Sequence, residues 1–67
     1  MEVKITTEFI KLEQLLKFSG VCQTGGEAKL HIQDGEVFVN GEPCTQRGKK
    51  IRAGDKVSFE DEIINVM

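Results

Sequence analysis

Apolar and polar positions along this 67-residue chain repeat with a period that changes from segment to segment. In "EVKIT", Val3 and Ile5 alternate with charged or polar neighbours, which predicts a short half-buried strand. From Phe9 to Phe18 the apolar Phe9, Leu12, Leu15 and Leu16 fall at helical spacing, with Lys11, Glu13, Gln14 and Lys17 on the other side. This is the pattern of an amphipathic helix, and Gly20 just beyond it suits a left-handed C-terminal cap. "TGGE" then offers Thr24 as an N-cap with Glu27 three residues on, the spacing of a capping box. A second short helix through "EAKLHIQD" stops at Gly35, with Ala28, His31 and Ile32 on one side and Leu30 nearly opposite, a pattern that suits cover on more than one side.

The second half reads as strands. In "EVFVNGEPC", Val37 and Val39 alternate with Glu36 and Phe38, and Asn40-Gly41 supplies the positive-φ pair of a type I′ hairpin turn. Pro43 has no N–H to give a ladder, so the returning strand is short or lies at an edge. "AGDKVSFE" places a turn at Gly54-Asp55 before a strand with Val57 and Phe59 inward, and "IINVM" closes the chain as a last strand. The expected core is Val3, Ile5, Leu12, Leu15, Leu16, Val21, Ala28, Ile32, Val37, Val39, Ile51, Val57, Phe59, Ile64 and Val66. Two helices on a small twisted antiparallel or mixed sheet account for these positions, an α+β fold in one domain spanning 1–67.

Size changes the functional picture first. A chain this short buries only about 60% of the surface its unfolded form exposes, which leaves little room for a substrate cleft. Binding is favoured over catalysis. Cys22 and Cys44 have neither CxxC nor Cys/His ligand spacing, and two cysteines suit free thiols in a reducing compartment. The early charges Glu2, Lys4, Glu8 and Lys11 exclude a signal-peptide core, and no apolar run approaches the ~20 residues of a bilayer span. A cytoplasmic protein without a membrane partner is the expectation.

Charge changes it again. The net charge is −2, but it is unevenly spread. Residues 1–43 carry four Lys against seven Asp/Glu, residues 44–56 carry five Lys/Arg against Asp55, and residues 57–67 add three acids. "QRGKKIRAGD" thus gathers Arg47, Lys49, Lys50 and Arg52 on what reads as a loop between turns. Such a run is commonly a solvated loop that keeps a small protein soluble. Its single sign within a chain that otherwise mixes signs points instead to a polyanion.

Other chemistry is poorly supplied. His31 is the only histidine and reads as a packed helix residue rather than a base, with no Ser-His-acid or Cys-His set in view. Metal ligands at recognised spacing are missing, and "TGGEAK" lacks the P-loop frame, so neither a metal nor another cofactor is expected. Thr24, Gly25 and Gly26 open a helix where unpaired N–H groups favour a phosphate, although Glu27 competes for those donors. Phe38, on the outward phase of the hairpin, either covers the second face of a thin sheet or stacks on a base.

The order of these pieces resembles the S4-type RNA-binding domain, named for a ribosomal protein. Its pattern runs R-L-D-x-x-L, G-x-x-x-S-R-x-x-A, I-x-x-G-x-V-x-V-N-G and a loop ending in G-D. Here Lys11-Leu12-Glu13 with Leu16, then Gly20, Thr24-Gly25 and Ala28, then Ile32, Gly35, Val37, Val39, Asn40 and Gly41, then Gly54-Asp55 stand in those places. The resemblance covers about fifty residues and implies a small stand-alone bacterial member. It further implies a non-enzymatic module that grips structured RNA, ribosomal or transfer RNA, with the ribosome or its assembly intermediates as further partners. The RNA-binding residues it implies are Lys11, Thr24, Gly25, Gly26 and Lys29, joined by Arg47, Lys49, Lys50 and Arg52. Gly25 replaces the family Arg, and Gln33 and Asp34 stand where many members are basic. The alternative is a protein-interaction module on the same fold with weak RNA affinity.

Overall fold

Asn40 and Gly41 both adopt positive φ, 52° and 87°, the backbone of a type I′ turn. They join strands β3 (Val37–Val39) and β4 (Glu42–Pro43) in the computed structural model, which describes residues 1–67. The remaining elements are β1 (Glu2–Val3), β2 (Ile10–Lys11), α1 (Leu12–Phe18), α2 (Gly25–Gln33), β5 (Lys50–Ile51), β6 (Lys56–Phe59) and β7 (Glu62–Val66). Five strands form a sheet in the order β1-β7-β6-β3-β4, and β2 and β5 form a separate two-stranded ribbon. Only β1 and β7 run parallel. The architecture is α+β.

Period-2 alternation decides the sheet's faces. Val37, Val39, Val57, Phe59, Ile64 and Val66 are buried and join Leu12, Leu15, Leu16, Ala28 and Ile32 in one core cluster. On the opposite face Phe38 lies across from Ser58, and Ser58 across from Ile63. No element covers that face, and Phe38 remains 39% exposed. Pro43 sits on β4 at the sheet edge, where its missing N–H is tolerated. No helix is long and apolar enough to cross a membrane.

Four expectations need correction. The first helix begins at Leu12, not Phe9, because Ile10 and Lys11 pair with Ile51 and Lys50. Lys11 caps α1 with no side-chain bond; instead Leu12 N–H donates to the Lys49 carbonyl (2.8 Å) and Glu13 N–H to that of Arg47 (3.1 Å). The basic stretch is accordingly not all loop, since Lys50–Ile51 is a strand and Ile51 is fully buried. Ile5 and Val21 are only partly buried, while Cys22 joins the core. Leu30 is 62% exposed, so α2 is covered on the Ala28–Ile32 side alone.

The local signals around α2 hold. Thr24 Oγ accepts the Glu27 N–H at 3.1 Å, and the Glu27 carboxylate accepts the Gln23 N–H at 3.3 Å, one residue before the usual capping-box donor. Gly20, at φ 83°, lets the chain leave α1 in the left-handed turn a side chain would strain.

Candidate nucleic-acid interface

The ribbon builds a cationic face from simple alternation. Lys11 lies opposite Lys50, and Ile10 opposite Ile51, so the isoleucines turn to the core and the lysines outward. Two turns position the rest. Gln46–Lys49 closes one, with the Lys49 N–H on the Gln46 carbonyl (3.1 Å) and Arg47-Gly48 at its tip. Arg52–Asp55 closes the other, with the Asp55 N–H on the Arg52 carbonyl (3.0 Å).

Beside the ribbon lies an open groove of about 510 Å³, whose walls include Lys49, Lys50 and Arg52 together with Asn40, Glu42 and Asp55. Its floor is fastened by a latch between two motifs that are far apart in sequence. Asn40 Nδ2 donates to Asp55 Oδ1 (3.1 Å), Asn40 Oδ1 accepts the Lys56 N–H (2.9 Å), and Asp55 Oδ2 accepts the Arg52 N–H (2.8 Å). The "VNG" turn and the "GD" turn are thus one hydrogen-bonded unit. Asp55 is held below the ordinary carboxyl value, first by the Arg52 N–H and then by the Asn40 amide and the nearby Lys49 and Arg52 charges, with burial opposing.

The cations of this face make no ion pair within 4.0 Å, although Lys49 and Arg52 lie near enough to Asp55 to lower its pKa. The ion pairs within 4.0 Å involve only His31, with Glu36 at 2.7 Å and Glu27 at 4.0 Å. None of the nine Lys and Arg side chains is paired in this way. Cations gathered on one face without a close ion pair attract a polyanion.

Sequence reasoning placed Lys11, Thr24, Gly25, Gly26 and Lys29 together with Arg47, Lys49, Lys50 and Arg52. The structure brings Lys11 to Lys50 across the ribbon and groups Lys49, Lys50 and Arg52 around the groove, with Arg47 at the neighbouring turn tip. It does not bring α2 into that groove. The ribbon docks on the N-terminal end of α1, whereas α2 follows from its C-terminal end, about 10 Å away along seven residues. Ser19, Gly20 and Val21 there share a second depression with Phe59, Glu60 and Glu62. Burial, then Glu27 and Glu60, push the Cys22 thiol above its ordinary value. Glu27, in the first turn of α2, and Glu60 thus lie near Cys22, and the Glu27 carboxylate takes the Gln23 N–H just ahead of the helix.

Phe9, read from the sequence as part of a helix face and not among the candidate site residues, lies at the site instead. Its ring lies 5.0 Å from Lys50 Nζ and 5.9 Å from Arg52 Cζ. The signal was present in the alternation of Phe9 and Lys11, but helical spacing competed with it over four residues. His31 is a structural group: its ring packs 4.5 Å from that of Phe59, and the Glu36 hydrogen bond raises its pKa above the ordinary value.

Comparison with known proteins finds similarity over most of the chain. A family model described as "S4 domain" matches residues 3–67. The chain is similar to a "Probable ribosome maturation protein RlbA" of Bacillus subtilis, 47% identical over 58 residues, covering 87% of this chain and 82% of the relative. It is also similar to a "Putative RNA-binding protein YbcJ" of Escherichia coli, 38% identical over 58 residues, covering 87% of this chain and 83% of the relative.

Proposed function

This chain belongs to the S4 domain family, and from that premise we propose that it is a non-enzymatic RNA-binding module whose grip lies on the β2–β5 ribbon. The observation that carries the reading is the unpaired cluster of Lys11, Lys49, Lys50 and Arg52 at one end of a chain whose net charge is −2. Lysine and arginine at a phosphate backbone release condensed counterions, so affinity does not require base contacts. The names of the two relatives support structured RNA as the ligand, and that of the Bacillus subtilis protein supports ribosomal RNA or an assembly intermediate over transfer RNA. Gly25 leaves α2 without the family Arg, and the ribbon supplies the charge that position lacks. Thr24, Gly25, Gly26 and Lys29 take second place, because none of them lines the groove beside the ribbon.

Mobility-shift titrations with a folded ribosomal RNA fragment test the reading. With four phosphates neutralised, log K falls against log salt with a slope of roughly −3 to −4. Lys49→Glu/Lys50→Glu weakens binding more than tenfold and flattens that slope by about 2. Equal binding by both proteins removes the ribbon from RNA recognition. A second reading, a protein-docking module, draws on the uncovered sheet face at Phe38 and Ile63. A pull-down that survives ribonuclease and is lost in Ile63→Glu would favour it.

A further inference from the structure

Phe9 immediately precedes the ribbon and is half-buried, yet it is neither in the core cluster nor among the partly buried apolar residues packed on it. Its place follows from register. Lys11 lies opposite Lys50, so one alternation step outward Phe9 falls opposite Arg52. Phe9, Lys11, Lys50 and Arg52 thus share the outward face, while Ile10 and Ile51 face the core. The Lys50 ammonium is 5.0 Å and the Arg52 guanidinium carbon 5.9 Å from the ring centroid, both within the ~6 Å reach of a cation–π contact. No carboxylate lies within 4.0 Å of either cation. The ring is therefore placed to hold their charged ends.

We propose that Phe9 is a positioning residue for RNA binding, holding Lys50 and Arg52 extended on the outward face so that both meet the phosphates of one strand already ordered. The proposal rests on the ribbon being the RNA-binding face. Long cationic side chains lose rotamer freedom when a ligand immobilises them, and ordering them beforehand removes that cost from binding. The negative face of the ring also offsets the mutual repulsion of two cations held near one point. Phe9 itself need not touch RNA.

Two measurements test this. In the free protein, the Lys50 Hε and Arg52 Hδ protons resonate upfield of random-coil positions because of the ring current, and Phe9→Leu returns them. Random-coil shifts in the unaltered protein would overturn the proposal and leave the RNA reading intact. In titrations with a 20-nucleotide RNA hairpin, Phe9→Leu lowers affinity about 3- to 10-fold, the size of one or two exposed cation–π contacts, and Phe9→Tyr stays within twofold of the unaltered chain. In a Lys50→Ala/Arg52→Ala background, Phe9→Leu has no further effect, which a general loss of folding or a direct base contact would not reproduce. An equal loss in that background overturns the positioning role. Unaltered affinity in Lys50→Ala/Arg52→Ala itself overturns the RNA reading, and the proposal with it.

Discussion

Asn40 serves two ends with one side chain. Its backbone takes the left-handed conformation at the first position of the hairpin turn, and its amide bridges Asp55 and the Lys56 N–H. Asp55→Ala leaves the exposed Arg52 N–H and Asn40 amide to water, a loss of about 0.5–1.5 kcal/mol. Melting temperature should fall by roughly 4–8 °C per kcal/mol, and Asn40→Ala should cost more on top of Asp55→Ala, because it also loses the Lys56 N–H bond and strains a positive-φ position. Because the Asp55 pKa is depressed by folding, its contribution is present above the ordinary value of 3.8 and is lost as pH falls through the native pKa. The difference between unaltered chain and Asp55→Asn in urea midpoint should therefore hold at pH 6 and shrink in acid. His31 runs the other way. The Glu36 hydrogen bond raises its pKa, so its contribution is complete below the ordinary 6.5 and disappears as pH rises through the native value. An NMR titration of Glu36→Gln should show the His31 pKa moving down, and an unmoved pKa would assign the rise to another group.

At the level of elements, the start of α1 is the instructive case. Phe9-Ile10-Lys11-Leu12 fits a helical stripe through Phe9 and Leu12 as well as a strand through Ile10. Over so few residues periodicity does not separate the two. The choice falls to Ile51, forty-one positions away from Ile10, and to the Lys49 and Arg47 carbonyls that satisfy the first helical N–H groups. Ile51 pins this junction and is fully buried. Ile51→Val should cost about 0.5–1.5 kcal/mol and Ile51→Ala about 2–5 kcal/mol by urea unfolding. The larger loss is a substantial share of the ~5–15 kcal/mol that holds a typical domain. By contrast, the hairpin at Asn40-Gly41 and the capped start of α2 at Thr24 were legible without any long-range partner. Each is specified by residues within three or four positions of one another.

Across the whole molecule, charge follows the strands. β6 runs from Lys56, beside the Arg52–Asp55 turn, to Phe59, beside Glu60, Asp61 and Glu62. At about 3.4 Å per residue, Asp55 and Glu60 stand roughly 17 Å apart along the chain, beyond the ~8 Å over which exposed charges interact at physiological salt. Glu60→Gln/Glu62→Gln should therefore change RNA affinity less than twofold at 0.15 M salt, although it removes two negative charges. A tenfold gain would mean that the acidic end touches the ligand. The sequence by itself determined the α+β class, the hairpin, the second helix and most of the core, because alternation, turn chemistry and capping act between near neighbours. It also determined that positive charge gathers at 47–52. Only the tertiary structure decided which cations share a face. Pairing of β2 with β5 joins segments some forty residues apart, setting Lys11 and Phe9 beside Lys50 and Arg52 and leaving the first turn of α2 outside the groove. "QRGKKIRAGD" is thus two turns joined by the short strand Lys50–Ile51, and the buried Ile51 in its middle turns Lys50 outward.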